Sequence, residues 1–200
     1  MNKIITIGRE FGSGGREIGR KLAETLGYEY YDKEIITEIA KRTEFSEQYV
    51  HEVLENNPHD LFPITVGHSF TFIDAYALQR KQAVFNEQKN VIRQMAETTN
   101  CVIVGRCSDY ILQDMHPLRI FVYSTLEDKL KRCRERESNV SHISDKKLLK
   151  LIKTMDKNRA KYYEFYTGKS WANKVNYDIM VNTSKLNIDD FVQSLAKLYK

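Results

Sequence analysis

The stretch ITIGREFGSGGREIGRKLAE, residues 5–24, runs from apolar residues through a cluster of glycines into helical spacing, and few folds accept that order. Ile4, Ile5 and Ile7 are β-branched and read as a buried strand. Gly8, Gly12, Gly14 and Gly15 permit backbone angles that a β-carbon forbids. From Arg16 onward Ile18, Leu22 and Leu26 recur every four residues on one helical face. The glycines therefore sit at a helix N-terminus, where unpaired N–H groups and about half a positive charge of dipole favour an anion. This is the order a phosphate-binding loop needs.

Two hundred residues suit a single α/β domain with a core of its own and room for a helical insertion. The first strand starts almost at the N-terminus, with no charged-then-apolar leader and no apolar run of membrane-spanning length, so a cytoplasmic protein without membrane contact is expected. Cys101, Cys107 and Cys133 lack CxxC spacing and the five histidines lack ligand spacing, so neither a disulfide framework nor a zinc site is signalled. The net charge of +4 is too small to argue for a nucleic-acid partner. Its basic residues, however, concentrate between Lys129 and Lys174, which points to a local anionic ligand.

Gly27 marks the stop of the first helix, and Tyr28 to Tyr31 read as a second strand ending at Asp32. A strand, loop, helix, strand unit opens a parallel α/β sheet. Between Asp32 and the next strand, roughly positions 33–98 read as a helical insertion, with Ser46 as an N-cap, a loop over Asn56 to Ser69 and a long helix from about Phe72 to Glu97. It is long enough to build an acceptor pocket or a homodimer contact. Cys101 to Val104 and Leu118 to Tyr123 read as the third and fourth strands, and Ser124 with Glu127 as a capping box. A polar break at Ser138 to Ser144 precedes a helix over Asp145 to Tyr166; Tyr177 to Val181 is the last strand, and Asn187 opens the final helix. The expected fold is a five-stranded parallel sheet flanked by helices, with loops at strand ends carrying the chemistry.

The loop departs from the common phosphate-binding pattern GxxxxGK[ST]. Counted back from the helix, Gly14 takes the second glycine's place, while Gly15 and Arg16 stand at the lysine and hydroxyl positions with Glu17 next. Gly8 is the first glycine only in a loop one residue longer than usual. The amide cradle survives, and both side-chain functions must come from elsewhere. A dinucleotide loop is the rival, since Gly12 and Gly14 supply GxG and Asp32 lies where a ribose-binding acid would sit; Glu17 at the third glycine's position argues against that oxidoreductase reading.

Arg132, Arg134 and Arg136 crowd one helix, with Arg132 and Arg136 on a shared face. Leu148, Ile152 and Met155 trace a buried stripe whose next position is Arg159, so that guanidinium faces inward and needs an anion or an acid, with Asp156 one turn away. Two arginine-bearing segments around a polar break, roughly 132–160, read as a flap over a polyphosphate, which phosphoryl transfer needs for charge and for water exclusion. Arg106, at the end of the third strand, adds positive charge on the same edge.

The segments ITIGREFGSGGREIG, YYDKEII (30–36), VIVGRCSDYIL (102–112), DKNRAKYY, TGKSW and NYDIMVNTS, in that order, resemble the cytidylate kinase-like family of P-loop nucleoside monophosphate kinases over nearly the whole chain. The resemblance implies a three-layer P-loop kinase fold with a helical acceptor-binding insertion and an arginine-rich lid. It implies transfer of the ATP γ-phosphoryl to CMP or dCMP with Mg2+. Carried across, Gly12, Ser13, Gly14 and Gly15 would wrap the donor phosphates, with Gly8 and Arg9 completing the longer loop. Asp32 would stand beside the acceptor and Arg106 would hold its phosphate, although Cys107 replaces the acid expected after it. Arg132, Arg136, Asp156 and Arg159 would belong to the lid and its return helix. Arg16 or Arg9 would stand in for the absent lysine, and Glu17 for the hydroxyl at magnesium. Without that lysine, a nucleotide-binding regulatory module lacking turnover is the alternative.

Overall fold

The computed structural model describes residues 2–55, 75–136 and 143–199. Its centre is β1 (Ile4–Arg9), flanked by β3 (Cys101–Val104) and β4 (Leu118–Tyr123), with β2 (Glu29–Tyr31) and β5 (Ile179–Asn182) at the edges. All pairings are parallel, in the order β2-β3-β1-β4-β5. A classic dinucleotide-binding sheet seats β1 beside β2. Here β3 comes between them, so the sheet does not have the order on which the dinucleotide-loop rival rests.

Alternation along β1 decides which layer each side chain joins. Ile5 and Ile7 face α1 (Gly15–Leu26) and α8 (Ile188–Tyr199), packing with Ile18, Leu22, Val192 and Leu195. Ile4 faces the other way, into a core built by the helices α2 (Glu34–Arg42), α3 (Glu47–Glu55) and α4 (Ala75–Thr98), by the short α5 (Ser108–Ile111) and by α7 (Asp145–Thr167). A sheet covered on both faces explains the near-continuous apolar runs of β1, β3 and β4. Each fully buried Ile or Leu contributes about 2 kcal/mol. A third, smaller cluster of Cys133, Leu148 and Ile152 holds α6 (Leu126–Arg136) to α7, which is how the two arginine-bearing helices stay together.

Most caps follow the sequence. Gly27 is left-handed at φ 69°, Ser46 Oγ accepts from Tyr49 N at 3.2 Å, and Asn187 Oδ1 accepts from Asp189 N at 2.9 Å. The expected Ser124–Glu127 box is displaced by one residue. Thr125 takes the cap role, its Oγ1 accepting from Asp128 N at 3.3 Å, but its own N–H donates to Ser184 Oγ at 2.9 Å, so only half of a capping box forms; Ser124 Oγ is engaged with Ser184 Oγ at 3.2 Å. The edge strands are also shorter than expected, β2 by one residue and β5 starting two residues later. The loop expected at 56–69, the first residues of the long insertion helix and most of the polar break at 138–144 lie outside the described residues.

Candidate active site

Arg9 is the last residue of β1, so Gly8 and Arg9 belong to the sheet and the loop proper runs from Glu10 to Gly14. Gly12 and Gly14 take φ of 71° and 86°, where a β-carbon is strained, and Gly14 hands the chain directly to α1. Four contacts fix the loop, one of them internal and three from elsewhere in the chain. Ser13 Oγ donates to Glu10 O at 2.8 Å, Thr183 Oγ1 to Ser13 O at 2.7 Å, Arg132 Nη1 to Gly12 O at 2.8 Å, and Phe11 N to Asp156 Oδ1 at 2.6 Å. Ser13 is thus a buried buttress of the loop. The first N–H groups of α1, which no helical carbonyl can reach, open towards a cleft of about 220 Å3 bordered by Gly12, Gly14, Gly15, Arg16, Glu17 and Arg132.

A second, narrower cleft of about 40 Å3 lies at the ends of β1 and β3 and is bordered by Gly8, Glu55, Arg106, Asp109, Tyr162 and Tyr163. Gly8 therefore lines this cleft and not the glycine-loop one. Arg9 and Arg159 line both. Between the clefts three buried guanidiniums meet two buried carboxylates. Arg106 Nη2 lies 2.9 Å from Glu55 Oε1, Arg159 Nε 3.6 Å from Glu55 Oε2, and Arg9 Nη2 3.6 Å from Asp32 Oδ1. Asp32 is also held by Arg16 Nε at 2.8 Å, so its carboxylate is shared between two arginines, and it borders neither cleft.

The cluster carries more positive charge than its acids balance. Arg9 Nε and Nη2, Arg106 Nε and Arg159 Nε are buried without a hydrogen-bond acceptor. Burial first, and then the neighbouring Arg159, push the Arg9 guanidinium down to about 9. Glu55 moves the other way: burial alone would raise it, but Arg106, Arg159 and Arg9 together hold its carboxyl at about 2. Burial likewise lowers Arg159 below the usual arginine range. Asp32 Oδ1 and Glu55 Oε2 are likewise buried without a donor, each 3.6 Å from Arg9 or Arg159, so the cluster is loosely closed and has the charge to accept a further anion.

Sequence reasoning placed Arg159 inward, and it is, but with a different partner. Asp156 receives Phe11 N and pairs with Lys129 Nζ at 2.8 Å, while Arg159 turns to Glu55 and donates to Arg9 O at 3.3 Å. Lys129, which the sequence reading passed over, is buried between Asp156 and Glu10, the latter at 2.6 Å. Its signal was available: it precedes buried Cys133 by one helical turn. Glu55 was harder to find, being an acid directly after the buried pair Val53 and Leu54. Arg134, from the same crowded turn, pairs outward with Asp145 at 2.7 Å. Arg136 ends α6, and its side chain is outside the described residues. Glu17 borders the loop cleft and pairs with Lys21 at 3.0 Å.

Cys107 breaks the expected acidic position, and burial pushes its thiol well above the ordinary range, which disfavours the reactive thiolate. Asp109, two residues on, supplies a buried carboxylate at the second cleft and accepts from Tyr163 Oη at 2.7 Å. Tyr162 Oη donates to Gln88 Oε1 at 3.1 Å, and Gln88 Nε2 donates to Arg106 O at 2.8 Å, which fixes the backbone of the Arg106 turn from α4. Among the described residues no group of three or more His, Cys, Asp and Glu side chains stands ready as a metal cage, and no helix is long and apolar enough to cross a membrane.

The family model described as the cytidylate kinase-like family matches residues 4–185. No curated protein matches the chain. Among solved structures, an uncharacterized protein from Eubacterium ventriosum is 29% identical with a TM-score of 0.69, covering 99% of this chain and 98% of that one. Shikimate kinase from Bacteroides thetaiotaomicron is 16% identical with a TM-score of 0.57 over 98% and 97% of the two chains. A sugar kinase from Janibacter sp. is 10% identical with a TM-score of 0.54 over 98% and 94%. The last two share the fold: the three-layer architecture is that of P-loop kinases.

Proposed function

The chain belongs to the cytidylate kinase-like family, and from that premise we propose that it transfers the γ-phosphoryl of ATP to the phosphate of a nucleoside monophosphate, CMP or dCMP in the first instance. The supporting observation is the pair of clefts that share Arg9 and Arg159, one at the glycine loop and one at Arg106. A phosphoryl group that migrates between two bound anions crosses a region where negative charge accumulates on its oxygens. A buried excess of guanidiniums at the junction is the protein's means of stabilising it.

In this reading the amides of Gly12, Gly14 and Gly15 hold the donor phosphates at the start of α1, where the dipole favours them. Arg106 and Arg159 hold the acceptor's anionic group, and Asp32 orients Arg9 and Arg16. Arg132 couples the lid helices to the loop through Gly12 O, with Arg136 on the same helix, and Asp156 ties the return helix to Phe11 N. Magnesium, when bound with the nucleotide, screens the donor phosphates. It needs only one or two protein carboxylates besides phosphate oxygens and water, and Glu17, bordering the loop cleft, is suited to that part. Three free, buried cysteines accord with a reducing, cytoplasmic setting.

The test is ATP binding by calorimetry with magnesium, run beside an ADP-release assay over a panel of nucleoside monophosphates and small alcohols. Turnover confined to CMP or dCMP is expected. Turnover on a small alcohol would replace the acceptor class. ATP binding without turnover on any acceptor would favour a nucleotide-binding regulatory module, and absence of ATP binding would sink both readings.

A further inference from the structure

We propose that Arg9, carried by the central strand, supplies the positive charge that an ordinary phosphate loop places on the lysine at the position of Gly15. The inference rests on the phosphoryl-transfer reading above and names the residue that makes its atypical loop work.

A β-carbon built on Gly15 would lie 2.5 Å from Arg9 Cβ and 3.1 Å from Arg9 Cγ. Those are the root atoms of the arginine, fixed to a strand, so they cannot move aside as a flexible tip would. The Arg9 stem therefore runs across the space in which a side chain from position 15 would have to start. A side chain at 15 and one at 9 exclude each other, so only one of the two positions can carry the cation, and in this chain it is 9.

The guanidinium end is equally constrained. A β-carbon on Gly105 would fall on the Arg9 guanidinium, so the glycine at the end of β3 leaves the room that this head group fills. From there Arg9 borders the glycine-loop cleft on one side and the Arg106 cleft on the other. The residue is 6% exposed, and its Nε and Nη2 lack hydrogen-bond acceptors, although Asp32 stands 3.6 Å from Nη2. A buried guanidinium with unused donors at the meeting point of two clefts is arranged to receive oxygens from a ligand.

Other nearby cations are engaged differently. Lys129 is committed to Glu10 and Asp156. Arg132 donates to the loop's own Gly12 carbonyl. Arg16 leaves the loop on the outer side, with its side chain 49% exposed and its Nε on Asp32 at 2.8 Å. Arg16 is thus placed to hold Asp32, and Asp32 in turn stands beside Arg9.

A structural arginine and a ligand-binding one predict opposite results for Arg9→Met, which keeps the stem over Gly15 and removes the charge. Asp32 keeps Arg16 in that variant. If Arg9 serves the nucleotide, Arg9→Met melts at or above the wild-type temperature without ligand, since a buried and underpaired charge has been removed, while its affinity for ATP with magnesium falls at least about tenfold, the loss of one charge-assisted contact. The reciprocal test moves the charge. Gly15→Lys alone lowers both melting temperature and ATP affinity, whereas Arg9→Gly/Gly15→Lys, which also clears the β-carbon at position 9, binds ATP at least about tenfold more tightly than Arg9→Gly. ATP affinity within twofold of wild type in Arg9→Met overturns the proposal, as does a double variant no tighter than Arg9→Gly. Failure of the wild-type protein to bind ATP with magnesium overturns the phosphoryl-transfer reading itself, and Arg9's role with it.

Discussion

Glu55→Gln gives the sharpest measure of how much the buried arginine cluster depends on its internal anion. Its carboxylate lies 2.9 Å from Arg106 and 3.6 Å from Arg159, at 8% side-chain exposure. The folded protein brings this carboxyl from 4.5 to about 2, against burial, through Arg106, Arg159 and Arg9 in that order. At roughly 1.4 kcal/mol per pH unit, that displacement corresponds to about 3 kcal/mol favouring the ionised form in the folded state. Breaking a buried pair by removing one partner costs about 3–5 kcal/mol by an independent route. The two figures agree.

Between pH 4.5 and about 2 the unfolded chain binds the proton that folded Glu55 refuses, so stability rises with pH across that window. The contribution is complete above about pH 4.5 and disappears as pH falls through about 2. Urea unfolding followed by the fluorescence of the single tryptophan, Trp171, which borders the second cleft, provides the readout. Glu55→Gln is expected to be about 3 kcal/mol less stable than wild type at pH 7, and the gap is expected to shrink to about half by pH 3. A gap under about 1 kcal/mol at pH 7, or one unchanged between pH 7 and pH 3, would refute the reasoning.

Lys129→Met leaves Glu10 and Asp156 facing each other without their cation, so a loss of about 3 kcal/mol in urea unfolding is expected, part of it recovered in Lys129→Met/Asp156→Asn. Gly105→Ala places a β-carbon on the Arg9 guanidinium at a residue with φ of 72°; calorimetry should show weakened ATP binding, and the added loss should be smaller in an Arg9→Met background than in wild type. Cys101, Cys107 and Cys133 are buried, and burial raises the Cys101 thiol to about 12 and Cys107 well above its usual range. A thiol reagent at pH 7.5 should therefore titrate almost none of the three in the native protein and all of them in urea, and rapid native labelling of Cys107 would contradict its placement.

The layers of this fold were legible because period and apolarity coincide. Ile5 and Ile7 face α1 and α8 while Ile4 faces the insertion helices, and that alternation is written in the sequence. Arg159 was legible for the same reason, as a charge standing on an apolar stripe. Its partner was not, since Glu55 lies more than a hundred residues earlier and reaches Arg159 only when α3 packs on α7. The position of Arg9 was hidden by the glycine count. A loop read as starting at Gly8 puts Arg9 at its rim, whereas the β1–β4 register carries the strand through Arg9, paired with Val122, and turns its side chain beneath the loop.

Moving the cation from a loop to a strand alters what it can couple. A lysine at the start of a helix reaches phosphates from one side, on a flexible four-carbon stem. Arg9 ends the central strand of a five-stranded sheet, its stem and planar head filling the room that Gly15 and Gly105 leave by lacking a β-carbon, so its reach is set before any ligand arrives. That preorganisation costs desolvation, visible in the fall of its guanidinium to about 9, and the cost is offset only when an anion completes the cluster. Its head group also stands at the same junction as Arg159, and Arg159 shares Glu55 with Arg106. An anion entering either cleft therefore changes the charge balance felt in the other. Charge alone should consequently couple donor and acceptor binding negatively, because the first anion uses up positive charge that the second would meet; a calorimetric titration of the acceptor with and without a non-hydrolysable ATP analogue reads the sign, and tighter acceptor binding with the analogue would refute this charge argument.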